Sequence, residues 1–490
     1  MASPPDAELE TEPAPPRPPR HKRGKARQRR KRPPPRPPKP PKPAPAQLSK
    51  PATAEPSTPE IMSDIELPRA SLGEVRPPGP PPPARAPRPP PVPPSPKPPR
   101  PPPRPPAPPR KDGRPNFVFI LTDDLDDVYN SSSRRFMPVL NRLVGDTGTR
   151  LSNFIVSTGV CCPSRTSILT GKLAHCHNVT SNYFPEGSFT KFYDENLEDN
   201  WLPGWLQSAG YYTGLSGKFL NQYFETSVKR GYVPKGWDVF DALTFNAYNQ
   251  TNSCFSLNGG VSTCYPGEYQ TDLIANKARG QIDSALASGR PFFLYVAPTA
   301  PHRASTDGIT WYPPTPPNRY KNLYQGENLQ APRTPNFGVR NPILPRKGAP
   351  RVDAAFGALM DDLFVARLRS MRGVDDLVGS LVSRLNESGV LNNTYVIFTS
   401  DNGYHLGAFA LLDGKNLPIE EDIRLPLFIR GPGIPAGQVV PYQMNMVDVA
   451  PTLLALAGLP LPGHLDGLPM PLNPQLAAAH EQWQQPPSTG

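Results

Sequence analysis

Two short runs of the chain, residues 116–121 and 395–399, are hydrophobic at almost every position rather than at every second one. Strands with this pattern are buried on both faces, as in parallel sheets that helices cover on either side. Comparable runs occur at residues 211–215, 291–297 and 425–429, and helical periodicity occurs at residues 137–143, 271–286, 374–385 and 447–456. This alternation predicts an α/β sandwich around a mainly parallel sheet.

Acidic side chains follow both runs at the points where the strands would end. Asp123 and Asp124 follow the first run, and Asp401 and Asn402 follow the second. Ligands of α/β sheets bind beyond the carboxyl ends of strands, and oxygen ligands of this kind suit Ca²⁺ or Mg²⁺. Turn capping is the alternative role for such residues. We expect one divalent cation here, and we expect the next two acidic side chains to be solvated: Asp126 and Asp127.

The segment CCPSRTSILTGK, at residues 161–172, carries a candidate nucleophile. Cys161 would begin a helix, whose N-terminus gathers unpaired N–H groups and favours an anion. Arg165, one helical turn later, would direct its guanidinium at the same anion. The alternatives are buried structural thiols and a zinc cluster that includes the cysteine and histidines of residues 175–177. Adjacent cysteines fit the usual spacing of zinc ligands poorly.

The order Cys-x-Pro-Ser-Arg followed by Leu-Thr-Gly resembles the signature of type I sulfatases, and the similarity runs from about residue 116 to residue 467. It is strongest towards the N-acetylglucosamine-6-sulfatase and algal arylsulfatase branches, and it implies an alkaline-phosphatase-like sandwich. Further matching segments follow in the family's order: Gly217-Lys218-Phe219-Leu220-Asn221, Ala300-Pro301-His302, Thr399-Ser400-Asp401-Asn402-Gly403-Tyr404-His405, Gly414-Lys415-Asn416 and Glu421-Asp422-Ile423-Arg424-Leu425-Pro426.

The resemblance implies a modified nucleophile and a metal site. In type I sulfatases the first cysteine of the signature is oxidised to formylglycine, so Cys161 would become 3-oxoalanine through a formylglycine-generating enzyme. The modified residue would share a Ca²⁺ or Mg²⁺ ion with the oxygen ligands from both strand ends: Asp123, Asp124, Asp401 and Asn402.

The resemblance also implies a role for each of four basic side chains. Arg165 would stabilise the hydrated aldehyde, and Lys218 and Lys415 would bind sulfate oxygens. His302 would act at the sulfate or at the leaving oxygen. One hydroxyl of the hydrate would attack sulfur in line, and the second would then reform the aldehyde and expel sulfate. An unmodified cysteine cannot perform this last step.

One position departs from the family's pattern. Many members continue the Gly-Lys pair as Gly-Lys-Trp-His, whereas Leu220-Asn221 follows here. One candidate acid or base is therefore absent. His177 and His405 are the candidates to stand near the reacting groups in its place.

Proline limits the part of the chain that folds. Residues 1–113 hold 42 of the 74 prolines and few aliphatic side chains, so we expect a disordered arm without a core. This arm carries 23 Lys or Arg against 10 Asp or Glu, while the rest of the chain has 30 against 32. A near-neutral body argues against a specific nucleic-acid substrate. The basic arm would contact polyanions or cell-wall polysaccharide.

Cysteines and sequons suggest an oxidising compartment. With Cys161 modified, four cysteines remain, and Cys254 and Cys264 flank a loop short enough to close as a disulfide, whereas the pairing of Cys162 and Cys176 stays open.

No run is long and apolar enough to span a membrane, and residues 1–12 lack the apolar core of a signal peptide. We expect a secreted, extracellular or lysosome-like location, with candidate glycosylation at Asn130, Asn178, Asn249, Asn386 and Asn392.

The expected organisation has three parts: a basic arm at residues 1–113, a sulfatase catalytic domain at residues 114–467 and a polar tail at residues 468–490. The smaller C-terminal subdomain of the family would be truncated or absent. The expected activity is hydrolysis of aryl or carbohydrate sulfate monoesters. The alternatives are a phosphohydrolase of the same superfamily and an inactive, wall-associated relative that binds polyanions.

Overall fold

The structure is a computed structural model that describes residues 113–223, 231–340 and 351–484. The expected arm, apart from Gly113, lies outside the described residues. So do the last six residues of the expected tail. Among the described residues, no helix combines the length and the apolar character needed to cross a membrane.

The described strands are β1 Asn116–Thr122, β2 Thr149–Ile155, β3 Tyr212–Gly217, β4 Val239–Leu243, β5 Asn252–Leu257, β6 Thr263–Pro266, β7 Phe292–Ala297, β8 Thr394–Ser400, β9 His405–Leu406, β10 Asp413–Gly414, β11 Arg424–Arg430, β12 Gln438–Val440 and β13 Met444–Asn445. In this part of the chain they form an 11-stranded sheet, ordered β12-β2-β11-β8-β1-β7-β3-β4-β5-β6 with β13 beside β2, and a small β9–β10 pair. The central strands β8, β1, β7, β3 and β4 are parallel, which confirms the predicted sheet.

The helices are α1 Pro138–Leu140, α2 Cys161–Thr170, α3 Ala174–His177, α4 Ser188–Asp194, α5 Leu202–Ser208, α6 Gln270–Ser288, α7 Ala354–Glu387, α8 Glu420–Ile423, α9 Val449–Leu456 and α10 Pro474–Gln484. Helix α6 agrees with its prediction within two residues. Helix α7 begins at Ala354, well before the predicted residue 374. The side chain of Asp353 caps it by accepting a hydrogen bond from the Phe356 N–H. The segment predicted at residues 137–143 is short α1 followed by a π-helical turn at Asn141–Gly145.

The central strand β1 explains why the core has two layers. Successive side chains of a strand point to opposite faces. Phe117 and Phe119 therefore pack on one face with residues of α2, α5 and α9, whereas Val118 and Ile120 pack on the other face with residues of α6 and α7. Burial of both faces accounts for the nearly continuous hydrophobic run in the sequence.

The parallel strands end along one edge of the sheet. Thr122 at the end of β1 lies opposite Ser400 at the end of β8, and Gly217 at the end of β3 lies opposite Ala297 at the end of β7. The loops that follow these four strands therefore begin side by side.

Gly217 allows β3 and β7 to approach closely at this edge. Its φ is 111°, a conformation that residues with a Cβ rarely adopt, and an added Cβ would lie 2.2 Å from the carbonyl oxygen of Ala297. Gly217 also immediately precedes Lys218, so its backbone sets the direction in which that lysine leaves the strand.

We expect Gly217→Ala to lower the free energy of unfolding by about 1–3 kcal/mol, because the methyl group forces both a strained φ and a backbone clash. Gly280→Ala in α6 is the matched control, since Gly280 has no atom within 4 Å of an added Cβ. That control should gain about 0.5–1 kcal/mol from helix propensity. Urea unfolding of both variants tests this, and equal stability of Gly217→Ala and wild type would contradict it.

Candidate active site

Helix α2 delivers Cys161 to the edge of the sheet where the strands end. Pro163 is in the first turn, where its missing N–H costs no hydrogen bond within the helix. The Cys162 N–H donates to Asn182 Oδ1 at 2.8 Å. All ten residues of α2 are buried, and Gly171 ends the helix in the left-handed conformation. Cys161 is thus fixed at the buried end of a helix.

Four residues predicted to bind a metal converge around this thiol. One side-chain atom from each of Asp123, Asp124, Cys161 and Asp401 lies within 4.8 Å of the others, and all four residues are buried. Cys161 Sγ is 3.3 Å from Asp123 Oδ1. Asn402 joins the group, because its Nδ2 donates to Asp124 Oδ1 at 2.8 Å. The structure therefore brings the two strand ends and the helix together.

Two oxygens of this cluster are suited to a hard cation. Asn402 Oδ1 and Asp124 Oδ2 are buried and accept no hydrogen bond. Buried oxygens without a donor are costly unless another group compensates them. Carboxylate and amide oxygens beside a single sulfur match the preferences of Ca²⁺ or Mg²⁺ better than those of a soft metal. The donor set fits the expected divalent cation.

Three permanent cations balance the three aspartates. Arg165 Nε donates to Asp401 Oδ2 at 2.8 Å, and Lys218 Nζ lies 2.6 Å from Asp123 Oδ2. Lys415 Nζ contacts Asp124 Oδ1 and lies 2.7 Å from Cys161 Sγ. Arg165 and the three aspartates have no solvent exposure. The candidate anion-binding residues thus surround the candidate nucleophile.

The pairing keeps these groups charged although they are buried. Burial alone raises the pKa of the Asp123 and Asp124 carboxyls. The neighbouring basic groups together outweigh it, with Lys218 the strongest for Asp123 and Lys415 the strongest for Asp124, and hold both pKa values below their ordinary range. Burial lowers the pKa of the two ammonium groups. The acidic groups around them, led by Asp123 for Lys218 and by Asp124 for Lys415, together outweigh it and raise both pKa values well above the usual value. Burial and Asp123 together raise the pKa of Cys161, which disfavours its thiolate.

His302 enters the cluster from the loop after β7. Its Nε2 lies 3.4 Å from Asp124 Oδ2, and its Nδ1 donates to the carbonyl oxygen of Arg303 at 2.8 Å. Burial lowers the pKa of the imidazole, although Asp124 and Asp123 oppose this shift. His302 is therefore held with Nε2 towards the acidic cluster.

A cavity of about 680 Å³ opens in front of these residues. Its walls carry amide and aromatic side chains, among them Asn182, Asn221, Tyr248 and Trp311, and its floor includes Lys218, His302 and Lys415. Residues of the loop after β7, from Arg303 to Trp311, also line this cavity. The volume falls within the range of small-molecule sites in proteins.

The prediction that Asp126 and Asp127 are solvated is wrong. Asp126 has no exposure and pairs with Arg367 at 3.2 Å, and Asp127 pairs with Arg150 at 2.8 Å. Burial raises the pKa of Asp126 to about 6, although Arg367 lowers it. The sequence showed a run of acids but not the cations on α7 and β2 that face them.

Arg367 is a residue that the motifs did not reveal. It donates to the carbonyl oxygen of Asp124 at 2.6 Å, and its guanidinium lies 4.8 Å from the ring centroid of Tyr404. It therefore supports the loop after β1, where Asp124 has a φ of 67°. A signal was present, since Arg367 interrupts the apolar stripe of α7 between Phe364 and Leu368.

The two other candidate histidines make different contacts. His177 Nε2 lies 3.0 Å from Ser167 Oγ, its Nδ1 accepts the Val179 N–H, and burial lowers its pKa to about 4. His405 Nδ1 lies 2.8 Å from Asp422 Oδ1. These contacts join neighbouring segments, and the acidic cluster does not include either ring.

The structure also shows the pairing of the other cysteines and the exposure of the sequon asparagines. Cys254 and Cys264 form a disulfide across the β5–β6 hairpin, while Cys162 is buried and free and Cys176 is exposed and free. Four sequon asparagines are exposed and the fifth is partly exposed: Asn130, Asn178, Asn386 and Asn392, then Asn249. Glycosylation at these positions stays a prediction.

The fold and the site together define an α/β protein with a buried cluster of paired charges at the ends of parallel strands. The family model for sulfatases matches residues 115–459. The chain is 38% identical to an arylsulfatase of Volvox carteri over 70% of its own length and 56% of that protein. It is 36% identical to the human (Homo sapiens) N-acetylglucosamine-6-sulfatase over 71% of its own length and 62% of that protein.

The chain belongs to the sulfatase family. Its fold also resembles that of the protein BT4656, solved in complex with its substrate D-glucosamine-2-N,6-O-disulfate, with a TM-score of 0.58 and 23% identity. That similarity covers 76% of this chain and 82% of BT4656. The chain spans less than two thirds of the length of the two relatives above.

We expect Arg367→Met to destabilise the fold by about 3–5 kcal/mol, because it leaves the Asp126 carboxylate buried without its partner. The double variant Arg367→Met/Asp126→Asn should recover a large part of this loss, since no buried charge remains. Arg319→Met is the control, because its partners Asp272 and Asp376 are partly exposed. Asp126→Asn completes the cycle, and chemical unfolding of the wild type, the two single variants and the double variant measures the coupling. Additive losses in the double variant would contradict the pairing.

Proposed function

We propose that this chain hydrolyses sulfate monoesters, with formylglycine formed from Cys161 as the nucleophile and one Ca²⁺ or Mg²⁺ ion as cofactor. The observation that carries the proposal is the convergence of Asp123, Asp124, Asp401 and Cys161 with three cations. Asp124, Lys218 and Lys415 of this cluster line the cavity. Membership of the sulfatase family supports the reaction class.

The charge balance supports an anionic substrate. Three aspartates and three permanent cations make the cluster neutral as it stands. A divalent cation would leave excess positive charge at the cavity floor, which a sulfate monoester and the negative charge developing in its transition state would offset. The ion would be held by Asp123, Asp124, Asp401, Asn402 and the modified Cys161, and it would supply Lewis-acid polarisation.

Conversion to formylglycine would give the buried thiol of Cys161 a role as the nucleophile. Burial and Asp123 raise the pKa of Cys161, so its thiolate is a poor candidate for direct attack. Formylglycine would supply a hydrated aldehyde hydroxyl instead. Asn182 fixes the first turn of α2, and Lys415 Nζ contacts the sulfur, so both would hold the modified side chain in place.

The remaining side chains would bind and orient the ester. Lys218 and Lys415 point their ammonium groups to the thiol side of the cluster, where they would bind sulfate oxygens. Arg165 Nη2 is buried without a hydrogen bond and lies 4.0 Å from Asp123, so it would stabilise charge on the metal side. Nε2 of His302 faces the same volume and would contact the leaving oxygen.

Aryl and carbohydrate sulfates are the proposed substrates. Amide and aromatic side chains line the cavity beyond its cationic floor, together with Arg303 and Asp307. Amide and aromatic groups of this kind suit an aryl or a sugar ring. We propose a secreted, extracellular or lysosome-like location, which the Cys254–Cys264 disulfide and the exposed sequons support. A formylglycine-generating enzyme would be an obligatory partner. Polyanion contact through the basic arm concerns residues outside the described part.

We expect Cys161→Ala and Cys161→Ser to lower steady-state turnover of p-nitrophenyl sulfate by more than about 10³-fold, the scale of a lost covalent nucleophile. Cys176→Ser is the control, because Cys176 is exposed and away from the cluster. A hydrazide label and mass spectrometry should detect an aldehyde on the Cys161 peptide of the active protein. Ordinary turnover by Cys161→Ser would refute this role, and faster turnover of p-nitrophenyl phosphate would favour the phosphohydrolase.

The cation is tested without turnover. We expect calcium at 100 times its Kd to stabilise the protein by about 2.7 kcal/mol, because the ion binds only the folded cluster. Asp401→Asn should lose this shift. Asp283→Asn should keep it, since Asp283 is an exposed partner of Arg384. Thermal unfolding after chelation and after addition of calcium or magnesium measures the effect, and an unchanged midpoint with both ions would contradict the site.

A further inference from the structure

One aromatic ring contacts two of the side chains proposed to hold the sulfate. Tyr248 lies in the connection between β4 and β5, and its ring stacks on His302 with a centroid distance of 4.1 Å and an interplanar angle of 22°. Lys218 Nζ lies 5.1 Å from the same ring centroid. His302 and Lys218 follow different strands, β7 and β3, so Tyr248 links two separate loops of the site.

Hydrogen bonds alone leave the plane of His302 incompletely fixed. Its Nδ1 donates to the Arg303 carbonyl, and its Nε2 is 3.4 Å from Asp124 Oδ2. Rotation about the bond to an imidazole ring is broad, because it joins an sp³ carbon to an sp² carbon. A stacked ring restricts the tilt that these edge contacts permit. Trp311 packs against His302 as well, with a centroid distance of 5.3 Å.

The Tyr248 ring is itself held by its surroundings. Trp311 meets it edge-on at 5.2 Å, and Asn221 Nδ2 lies 3.4 Å from its hydroxyl oxygen. The neighbouring Gln250 donates to the His302 carbonyl at 2.9 Å, and the Ser305 N–H donates to the Tyr248 carbonyl at 3.1 Å. The connection that carries Tyr248 is therefore fastened to the loop that carries His302.

We propose that Tyr248 is a positioning residue whose ring sets the plane of His302 and the direction of Lys218 at the cavity floor. This inference rests on the proposed sulfatase function. The face of the ring performs this role, because both contacts are made by the π-system and not by the hydroxyl. The hydroxyl is bound to Asn221 and is not required.

The matched pair Tyr248→Phe and Tyr248→Leu separates the ring from the hydroxyl. Tyr248→Phe keeps the stack and should retain kcat and KM within about twofold, whereas Tyr248→Leu should lower kcat by about tenfold, the size of a lost aromatic contact. The loss should fall mainly on kcat, since orientation at the leaving oxygen matters most in the transition state. Tyr442→Leu, at a 67% exposed tyrosine, should leave both constants unchanged.

A spectroscopic measurement tests the stack independently of turnover. The chain has seven histidines, so histidine-selective ¹³C labelling gives few imidazole signals, and His302→Gln identifies the one from His302. The ring current of Tyr248 should shift this signal, so Tyr248→Phe should keep its position and Tyr248→Leu should move it. Thermal unfolding of each variant shows whether it is folded.

Three results would overturn the inference: equal loss of kcat in Tyr248→Phe and Tyr248→Leu, unchanged kcat in a folded Tyr248→Leu, or a His302 signal that Tyr248→Leu leaves in place. Failure of the proposed function would give a different set of results. In that case the wild type turns over no sulfate ester, while the His302 signal still reports whether Tyr248 sets the position of the imidazole.

Discussion

The buried balance between Asp123, Asp124 and Asp401 and the cations Arg165, Lys218 and Lys415 is the constraint on which the site depends. Each charge is costly to bury alone, and loss of one partner leaves the other uncompensated. The three acids follow β1 and β8, whereas the cations come from α2, from the end of β3 and from the segment after β10. Their pairing therefore fixes the strand ends relative to the helix that carries Cys161.

Contacts outside the charged cluster also hold this arrangement in place. Arg367 reaches from α7 to the carbonyl of Asp124, whose φ is 67°, and pairs with the buried Asp126. Tyr248 stacks on His302, which also lines the cavity. A strained backbone or a mobile side chain keeps one geometry only where the surrounding contacts fix it. Arg367 and Tyr248 supply this support for the loops after β1 and β7.

Much of the fold was predictable from local patterns. The central strands β1, β3, β7, β8 and β11 were expected within about two residues, because strands buried on both faces have a nearly continuous hydrophobic run. The first half of α7 was missed, since Arg367 interrupts its apolar stripe. Solvation of Asp126 was predicted wrongly, because its partner lies 241 residues away in the sequence. No local signal marked Tyr248.

The sequence alone determined which residues are the candidates for the proposed chemistry: the run from Cys161 to Arg165, the acids after two strands, and the lysines and histidine of the shorter motifs. Residue type and spacing suffice there, because a nucleophile and hard oxygen ligands are chemical requirements. The tertiary structure decided which neighbours these residues have. Burial, charge pairing and ring stacking join segments hundreds of residues apart, and those distances are set only when the sheet brings the strand ends to one edge.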